Sequence, residues 1–227
     1  MNILALDTAA QVLSAALATE TGISYTAIDA GRRHSELLMD SVDMLCKIAG
    51  IKPEDIDLIA CMKGPGSFTG LRIGFSAAKG MALALKKPLA AIPTLDCLAY
   101  PFSIWPGIVV PAMDAKKDCF FAALYRDGQL LTDYMDASPQ ALAKEITLTR
   151  LSPDERIVLT GCGADLLYSR LEAYIPLTHI RVDPVSKRGG ARELIEIAKS
   201  IILSNSIDDI YSGPVYLRKS DAELKMG

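Results

Sequence analysis

A glycine-rich segment, Gly64-Pro65-Gly66-Ser67-Phe68-Thr69-Gly70, has the residue types and spacing with the clearest potential for chemistry in this chain. An apolar run of strand length precedes it, and small and apolar residues at helical spacing follow it. A strand, a tight loop and a helix in this order can bind phosphate, because the first turn of a helix has unpaired N–H groups and a partial positive charge. The segment therefore binds a phosphate, binds a protein, or only makes a turn.

The glycine spacing fits neither of the common nucleotide motifs. A P-loop needs a Gly-Lys pair followed by Ser or Thr, whereas no Lys follows Gly70. The dinucleotide pattern G-x-G-x-x-G fails because the third glycine arrives one residue late. Spacing alone therefore favours a structural turn that lets the helix and the strand pack closely, with ligand binding as the alternative.

Two aspartates at the ends of predicted strands are further candidates for phosphate or metal chemistry. In two-lobed actin-like ATPases the turns at such positions contain glycines, so that the backbone can approach the phosphates closely. Here the turns read Asp7-Thr8-Ala9-Ala10 and Asp114-Ala115-Lys116-Lys117, without a glycine. We expect Asp7 and Thr8 to be at most weak ligands of a nucleotide.

The two histidines and five cysteines form no metal motif. His34 precedes a predicted helix with no second ligand at a motif distance, so we expect His34 or Ser35 to cap that helix. His179 fits a partly buried strand residue. The cysteines include no C-x-x-C pair, which predicts reduced thiols and no zinc site. We expect neither a metal nor an intrinsic cofactor.

A small basic cluster, Lys187, Arg188 and Arg192, lies at the start of the last predicted helix. It is a candidate for contact with RNA, although a solvated loop is the commoner explanation. Lys plus Arg total 24 against 27 Asp plus Glu, which gives a net charge of −3. This balance argues against unaided binding of nucleic acid, since phosphate contacts need clustered cations.

Alternating strand and helix patterns predict the elements that position these residues. In the first half we predict strands at 2–6, 12–18, 22–28, 56–62 and 88–92, and helices at 35–49, after the glycine segment, and at 95–100 with Thr94 as the cap. In the second half we predict strands at 108–113, 119–125, 130–134 and 157–160, and helices from Pro139 with Ser138 as the cap, after Gly163, and at 191–203. A short extended piece from Gly213 to Arg218 precedes a charged end that we expect to be mobile.

The stretch from Pro101 to Gly107 breaks this pattern with two prolines, a glycine and the only Trp. We therefore predict two lobes, 1–102 and 103–227, with the last helix or the tail as the part that can return to the first lobe. A chain of 227 residues, half of them hydrophobic and 22% charged, is long enough for this arrangement and for an ample core.

The N-terminal apolar run has no basic leader and is interrupted by Asp7, so it predicts a strand and not a signal peptide. No apolar run approaches the roughly 20 residues of a membrane span. We expect a cytoplasmic protein without contact to a membrane.

Five segments of the chain have the sequence of a known family. They are Ile3-Leu4-Ala5-Leu6-Asp7-Thr8, His34-Ser35-Glu36, the run from Lys63 to Gly74, the run from Val110 to Lys116, and Pro214-Val215-Tyr216-Leu217-Arg218. These segments closely resemble the bacterial TsaB (YeaZ) family. The resemblance spans nearly the whole chain and is strongest in the first hundred residues.

The resemblance implies an α/β fold of two actin-like lobes (the ASKHA, ribonuclease-H type), with mixed sheets flanked by helices. It implies a scaffold role in making threonylcarbamoyladenosine beside the anticodon of tRNAs that read codons starting with A. In that system the partner TsaD is the transferase and TsaE joins as an ATPase. TsaD-type members carry an H-x-x-x-H metal motif, whereas here Leu38 lies four residues after His34. The metal site and the catalytic role are therefore not expected, and ATP or ADP is expected only at the interface of the complex.

The residues and the resemblance together give a hypothesis for the partner surface. A nearly smooth face of the helix after the glycine segment, with the helix that begins at Ser35, is predicted to bind TsaD and, when TsaD is absent, a second copy. The predicted interface residues are Ser35, Leu38, Gly70, Arg72, Gly74, Ala77 and Met81. Transfer RNA is then contacted through the complex. The alternatives are an independent small ATPase or sugar-kinase-like enzyme of the same fold, and direct tRNA binding by the basic cluster.

Overall fold

The computed structural model describes residues 1–203 and 213–218, and the chain divides into two compact units. Unit 1 comprises Met1–Cys97 and Arg188–Tyr216, and unit 2 comprises Leu98–Lys187 and Leu217–Gly227. The division lies between Cys97 and Leu98, whereas the sequence placed the boundary at 102–103. The segment 188–216 belongs to unit 1, so this unit is built from two separate parts of the chain.

Unit 1 contains a five-stranded mixed sheet with the order β3-β2-β1-β4-β5. Its strands are β1 (Ile3–Asp7), β2 (Val12–Thr19), β3 (Gly22–Asp29), β4 (Leu58–Gly64) and β5 (Leu89–Pro93). The first three strands pair antiparallel, and β1, β4 and β5 pair parallel. This is the ribonuclease-H arrangement that the resemblance implied.

Unit 2 contains a seven-stranded mixed sheet. Its strands are β6 (Gly107–Asp114), β7 (Phe120–Ala122), β8 (Tyr125–Arg126), β9 (Gln129–Leu130), β10 (Met135–Ala137), β11 (Arg156–Thr160) and β12 (Ile180–Val182). The path β10-β7-β6-β11-β12 forms the body of the sheet, and β8 pairs with β6 and β9. The α/β class with two mixed sheets flanked by helices is confirmed.

Within the residues that the structure describes, six α-helices flank these sheets. They are α1 (His34–Ala49), α2 (Phe68–Leu85), α3 (Thr94–Ala99), α4 (Pro139–Thr149), α5 (Ala164–Leu171) and α6 (Ala191–Leu203). Helices α4 and α5 pack in the core of unit 2. Helix α6 has the bounds that the sequence predicted, and it contacts β1, β2, β4 and β5 in unit 1.

The sheet of unit 1 is buried on both faces. Leu4 and Leu6 belong to the core that also contains residues of α1 and α2. Because side chains alternate along a strand, Ile3, Ala5 and Asp7 point to the opposite face, where α6 packs. The end of β1 therefore directs Asp7 towards α6 and the next residue, Thr8, towards α2.

Three details of the predicted strands are wrong. The strand predicted at 119–125 is divided, because Leu124 donates its N–H to the Thr132 hydroxyl, at 3.1 Å, and so leaves β7 and β8 as separate strands. The strand predicted at 130–134 is likewise replaced by β9, which pairs with β8, and β10, which pairs with β7. Strand β12, whose three residues pair with β11, begins one residue after His179, which the sequence was expected to place within a strand.

The predicted helix caps are partly wrong. Helix α1 begins at His34, and its N-cap residue Arg33 makes no side-chain capping bond. Thr94 is the first residue of α3, and its buried hydroxyl has no hydrogen-bond partner among the described residues. Ser138 caps α4 as predicted, since its side chain accepts a hydrogen bond from the Ala141 N–H. The charged end, 219–227, lies outside the described residues.

Candidate functional site

The turn after β1 holds the Asp7 carboxylate inside unit 1, where Asp7 is 4% exposed. Its Oδ1 accepts a hydrogen bond from the Ala9 N–H, at 2.9 Å. Its Oδ2 accepts one from the N–H of Gly190, the residue before α6, at 2.7 Å. Both carboxylate oxygens are therefore bound by main-chain N–H groups of the chain itself, and Asp7 connects the end of β1 to the start of α6.

Burial controls the ionisation of the groups around this connection. Desolvation raises the pKa of Asp7 above its ordinary value of 3.8, and the hydrogen bonds from Ala9 and Gly190 oppose that rise in part. The nearby thiol of Cys97 donates to the Gly190 carbonyl oxygen at 3.2 Å. Burial raises the pKa of this thiol well above its usual range, which keeps it in the unreactive neutral form.

A second connection fixes the start of α6 to β2. The buried hydroxyl of Ser14 accepts a hydrogen bond from the Ala191 N–H at 3.1 Å. Gly189 has a φ of +80° and lies against the Ser14 side chain, where a Cβ would be only 2.5 Å from the hydroxyl oxygen. The polar groups Asp7 and Ser14 thus receive the first N–H groups of α6, which are the groups that a helix leaves unpaired.

The glycine segment packs on the same turn from the side of α2. The Ser67 N–H donates to the Ala9 carbonyl at 2.7 Å, and the Thr8 hydroxyl donates to the Gly70 carbonyl at 2.7 Å. A Cβ on Gly70 would overlap the Thr8 carbonyl oxygen, and a Cβ on Gly74 would overlap the Thr8 hydroxyl. Gly70 thus allows close packing on the Thr8 main chain and Gly74 on the Thr8 side chain, which agrees with the packing turn that the spacing favoured.

The tail also contacts the glycine segment. The peptide bond between Gly64 and Pro65 is cis, and Gly64 has a φ of +110°. The Val215 N–H donates to the Lys63 carbonyl at 2.7 Å, and a Cβ on Gly64 would overlap the Val215 carbonyl oxygen. The loop is therefore enclosed by the Asp7 turn and by the tail within unit 1.

The structure separates the seven residues that were predicted to form a partner surface. Leu38 is buried in the core of unit 1, and Gly70 and Gly74 are buried against Thr8. The prediction that Gly70 and Gly74 form an open, smooth face is therefore wrong for this unit, because Thr8 already occupies that face.

The other four residues do not share one surface. Ser35 and Arg72 are exposed, whereas Ala77 and Met81 are half-buried. An α-helix turns by about 100° per residue, so Arg72 lies roughly 140° from Ala77 and 180° from Met81 around α2. Arg72 and Met81 are on opposite edges of the helix.

Helical spacing groups a different set of apolar residues on neighbouring edges of α1 and α2, which we call the α1–α2 face. The two helices contact each other, and most members of the set are half-buried against the same core. Met44 and Ile48 are 40% and 65% exposed. The members are Leu37, Met44, Ile48, Ile73, Ala77 and Met81. Their i, i+4 and i+7 spacing is visible in the sequence, although only Ala77 and Met81 are among the predicted interface residues.

The aspartate turn of unit 2 is closed by its own lysine. Asp114 accepts hydrogen bonds from the Lys116 N–H at 2.8 Å and from the Lys116 ammonium at 2.6 Å. Partial burial acts to raise the pKa of Asp114, but the two bonds from Lys116 outweigh it and lower the pKa below its ordinary value. The next residues, Lys116, Lys117 and Asp118, have positive φ values, which side-chain-bearing residues adopt at a cost.

The basic cluster near α6 is engaged in local contacts. Lys187 pairs with Asp165 at 2.9 Å, and Arg188 pairs with Glu193 at 3.1 Å. The Arg192 guanidinium lies 5.4 Å from the centre of the Tyr25 ring. These contacts favour a structural role of the cluster over an RNA contact.

Each histidine lies beside a polar group of the chain. His34 is buried, and its Nε2 is hydrogen-bonded to the Ala10 carbonyl at 2.9 Å. His179 is half-buried next to β12, and its Nε2 lies 3.5 Å from an Asp154 carboxylate oxygen. Within 1–203 and 213–218, no three His, Cys, Asp or Glu side chains are close enough to hold a metal ion. In the same residues, no helix is long and apolar enough to cross a membrane.

These features define a ribonuclease-H-type α/β protein whose first aspartate turn is occupied by its own main chain. Comparisons with known proteins agree with this class. The family model "TsaD: tRNA N6-adenosine threonylcarbamoyltransferase" matches residues 19–175. The solved structure of YeaZ from Pseudomonas aeruginosa is similar, with a TM-score of 0.80 and 26% identity, covering 95% of this chain and 99% of that chain.

Two sequence relatives identify the family. The tRNA threonylcarbamoyladenosine biosynthesis protein TsaB of Bacillus subtilis is 35% identical over 56% of this chain, and the match spans only 56% of that protein's length. The Haemophilus influenzae protein of the same name is 30% identical over 72% of this chain and 74% of its own length. The chain belongs to the TsaB (YeaZ) family, which is named for tRNA threonylcarbamoyladenosine biosynthesis.

Proposed function

We propose that this chain is a non-catalytic subunit in tRNA threonylcarbamoyladenosine biosynthesis. It binds a TsaD-type transferase, and TsaE joins the complex as an ATPase. The observation that supports this role is the pair of hydrogen bonds from Ala9 and Gly190 to the Asp7 carboxylate. A carboxylate that is bound in this way holds α6 in place, and a metal–nucleotide complex would have to compete for it with both main-chain N–H groups.

The α1–α2 face supports a role in binding. It exposes Met44 and Ile48 on α1, while Ala77 and Met81 on α2 are half-buried against the core that both helices cover. Exposed apolar residues that adjoin one another on a folded surface are typical of protein interfaces. We assign this face to the transferase and, when the transferase is absent, to a second copy of the chain.

In this proposal the transferase catalyses the reaction, and this chain does not. ATP or ADP binds only at the junction with the partner, and tRNA is contacted through the assembled complex in the cytoplasm. The closed turns at Asp7 and Asp114 support this assignment, because each carboxylate is already bonded within its own unit.

Reconstitution of the modification from purified components tests the proposal. With TsaD, TsaE, tRNA and the activated threonylcarbamoyl donor present, product should appear only when this chain is added, and the chain alone should form none. Product formation without the chain would contradict the proposal, as would product from the chain alone.

Variants separate the scaffold from the alternative of a small independent ATPase. Met81→Arg should prevent binding to TsaD because it introduces a charge into the α1–α2 face. Lys86→Gln, an exposed change near the end of the same helix, is the matched control and should bind normally. The ATPase alternative predicts instead that the isolated chain binds ATP tightly and loses that binding in Asp7→Ala.

A further inference from the structure

Three side chains form a compact cluster where α2 begins, on the edge of that helix opposite to the α1–α2 face. The Arg72 guanidinium carbon lies 3.9 Å from the centre of the Phe68 ring. The Tyr216 ring, from the tail, lies 4.8 Å from the Phe68 ring, and its hydroxyl accepts a hydrogen bond from Arg72 Nε at 3.2 Å. The guanidinium is therefore stacked on one ring and fixed at one edge by the other.

The tail that carries Tyr216 is itself attached to the glycine segment. Its Val215 N–H donates to the Lys63 carbonyl, and Gly64 gives the tail room to approach. The position of Tyr216 is consequently set by backbone contacts. Arg72 is held in place although it is an exposed residue.

Arg72 has no acidic partner among the described residues. Its Nε–H is used by Tyr216, whereas the N–H groups of its two terminal nitrogens make no hydrogen bond or ion pair with the residues that the structure describes. An arginine normally loses side-chain entropy when it binds a carboxylate, and here the stacking and the tyrosine bond have already restricted the side chain. The planar fork of terminal N–H groups matches the two oxygens of a carboxylate.

We propose that Arg72, positioned by Phe68 and Tyr216, binds a carboxylate of a protein partner in the modification complex. This contact is additional to the α1–α2 face and rests on the proposed function, since it requires that the chain work in a complex. Phe68 and Tyr216 act as positioning residues, and Arg72 makes the contact.

The composition of the cluster favours a protein carboxylate over an RNA phosphate. Arginine and tyrosine are enriched in the centres of protein interfaces, where they combine an apolar surface with a few polar bonds. The cluster presents one cation beside aromatic rings and the 43% exposed Val215. Tracking an RNA backbone needs several cations, and the nearby Lys63 and Lys79 already have partners in the chain.

Calorimetry with the full chain, purified TsaD and TsaE tests this contact. Arg72→Gln should weaken assembly about tenfold at low salt and reduce its salt dependence, because an interface arginine and its charge are lost. Arg72→Lys should recover only part of the affinity, since an ammonium neither stacks nor forms a fork. Tyr216→Phe should have an intermediate effect, because it removes only the bond to Nε. Arg156→Gln, an exposed change in unit 2, is the charge-matched control and should have no effect.

The outcomes separate this contact from the proposed function. If the wild-type chain binds neither TsaD nor TsaE, the proposed function fails. If the wild type binds but Arg72→Gln binds with the same affinity and the same salt dependence, only the Arg72 contact is wrong. Loss of tRNA binding without any loss of protein binding would assign Arg72 to a phosphate and would also overturn the proposal.

Discussion

At Gly70 and Gly74 the absence of a side chain determines how closely α2 approaches the turn after β1. Thr8 fills the space that a Cβ would need at both positions, and its hydroxyl donates to the Gly70 carbonyl. Two glycines within a helix cost about 1 kcal/mol each relative to alanine. The contacts with Thr8 explain why they are there, because any larger residue would separate the loop from the turn.

Replacement of Gly70 tests this explanation at the level of a single residue. Gly70→Ala should lower the free energy of unfolding by about 1–3 kcal/mol, because the added Cβ meets the rigid Thr8 main chain. Gly80→Ala is the matched control: it lies in the same helix with open space at its Cβ, so it should gain about 0.5–1 kcal/mol. Urea unfolding of the two variants measures both effects, and equal stabilities would contradict the packing role of Gly70.

At the scale of the element, α6 shows what could and could not be predicted from the sequence. Its bounds follow from the local periodicity of apolar residues, and so do the five strands of unit 1 to within a few residues. Its docking site does not, because Asp7 and Gly190 are 183 positions apart in the chain. The periodicity of neighbouring residues cannot indicate a hydrogen bond between positions so far apart.

The candidate site could likewise be predicted only in part. The motif spacing correctly indicated that the glycine segment is a packing turn, since spacing is a local property. The sequence could not show that Gly74 faces Thr8 or that Arg72 faces Tyr216, because those contacts depend on which edge of α2 is covered. A smooth helix face in the sequence therefore does not distinguish an interface from an internal contact.

The bond between Asp7 and Gly190 is tested by Asp7→Asn, which keeps the shape of the side chain but accepts only one of the two N–H groups well. This substitution should lower the free energy of unfolding by about 1–3 kcal/mol at about pH 4. In the variant, amide hydrogens of α6 should exchange faster than those of α1. Burial raises the folded-state pKa of Asp7 above 3.8, so its contribution is full below that pH and is lost as the pH rises through the raised pKa. The difference between wild type and variant should thus be smaller at about pH 7.

Urea unfolding at the two pH values and hydrogen exchange of α6 measure these effects. Asp40→Asn, an exposed change on α1, is the control and should alter neither quantity. A stability difference that grew with pH would show that the ionised Asp7 is the preferred partner of Gly190, contrary to this account.

At the scale of the whole molecule, unit 1 depends on a segment that follows residues 98–187 of unit 2 in the chain. Residues 1–97 supply the sheet with α1 and α2, but the face that carries Ile3, Ala5 and Asp7 is covered by residues after 187. Helix α6 contributes Leu194, Ile195 and Ala198 to the buried residues of unit 1. The sheet face opposite to α1 and α2 is therefore covered only once the residues after 187 have been added to the chain.

A chain that ends at Lys187 tests this dependence. It lacks Leu194 and Ile195, whose burial contributes about 1.5–3 kcal/mol each, and it lacks the N–H groups of Gly190 and Ala191 that bind Asp7 and Ser14. Since small domains are stable by only about 5–15 kcal/mol, unit 1 should no longer fold cooperatively.

The single tryptophan, Trp105, belongs to unit 2 and so reports on that unit separately. Circular dichroism should lose amplitude in the shortened chain while the tryptophan transition in urea persists, and a peptide of residues 188–218 added in trans should restore the lost signal. A chain that ends at Arg218 keeps every contact described above and should behave as the full chain does. If the chain ending at Lys187 kept the full amplitude and the same midpoint, α6 would not be part of the folding unit to which its contacts assign it.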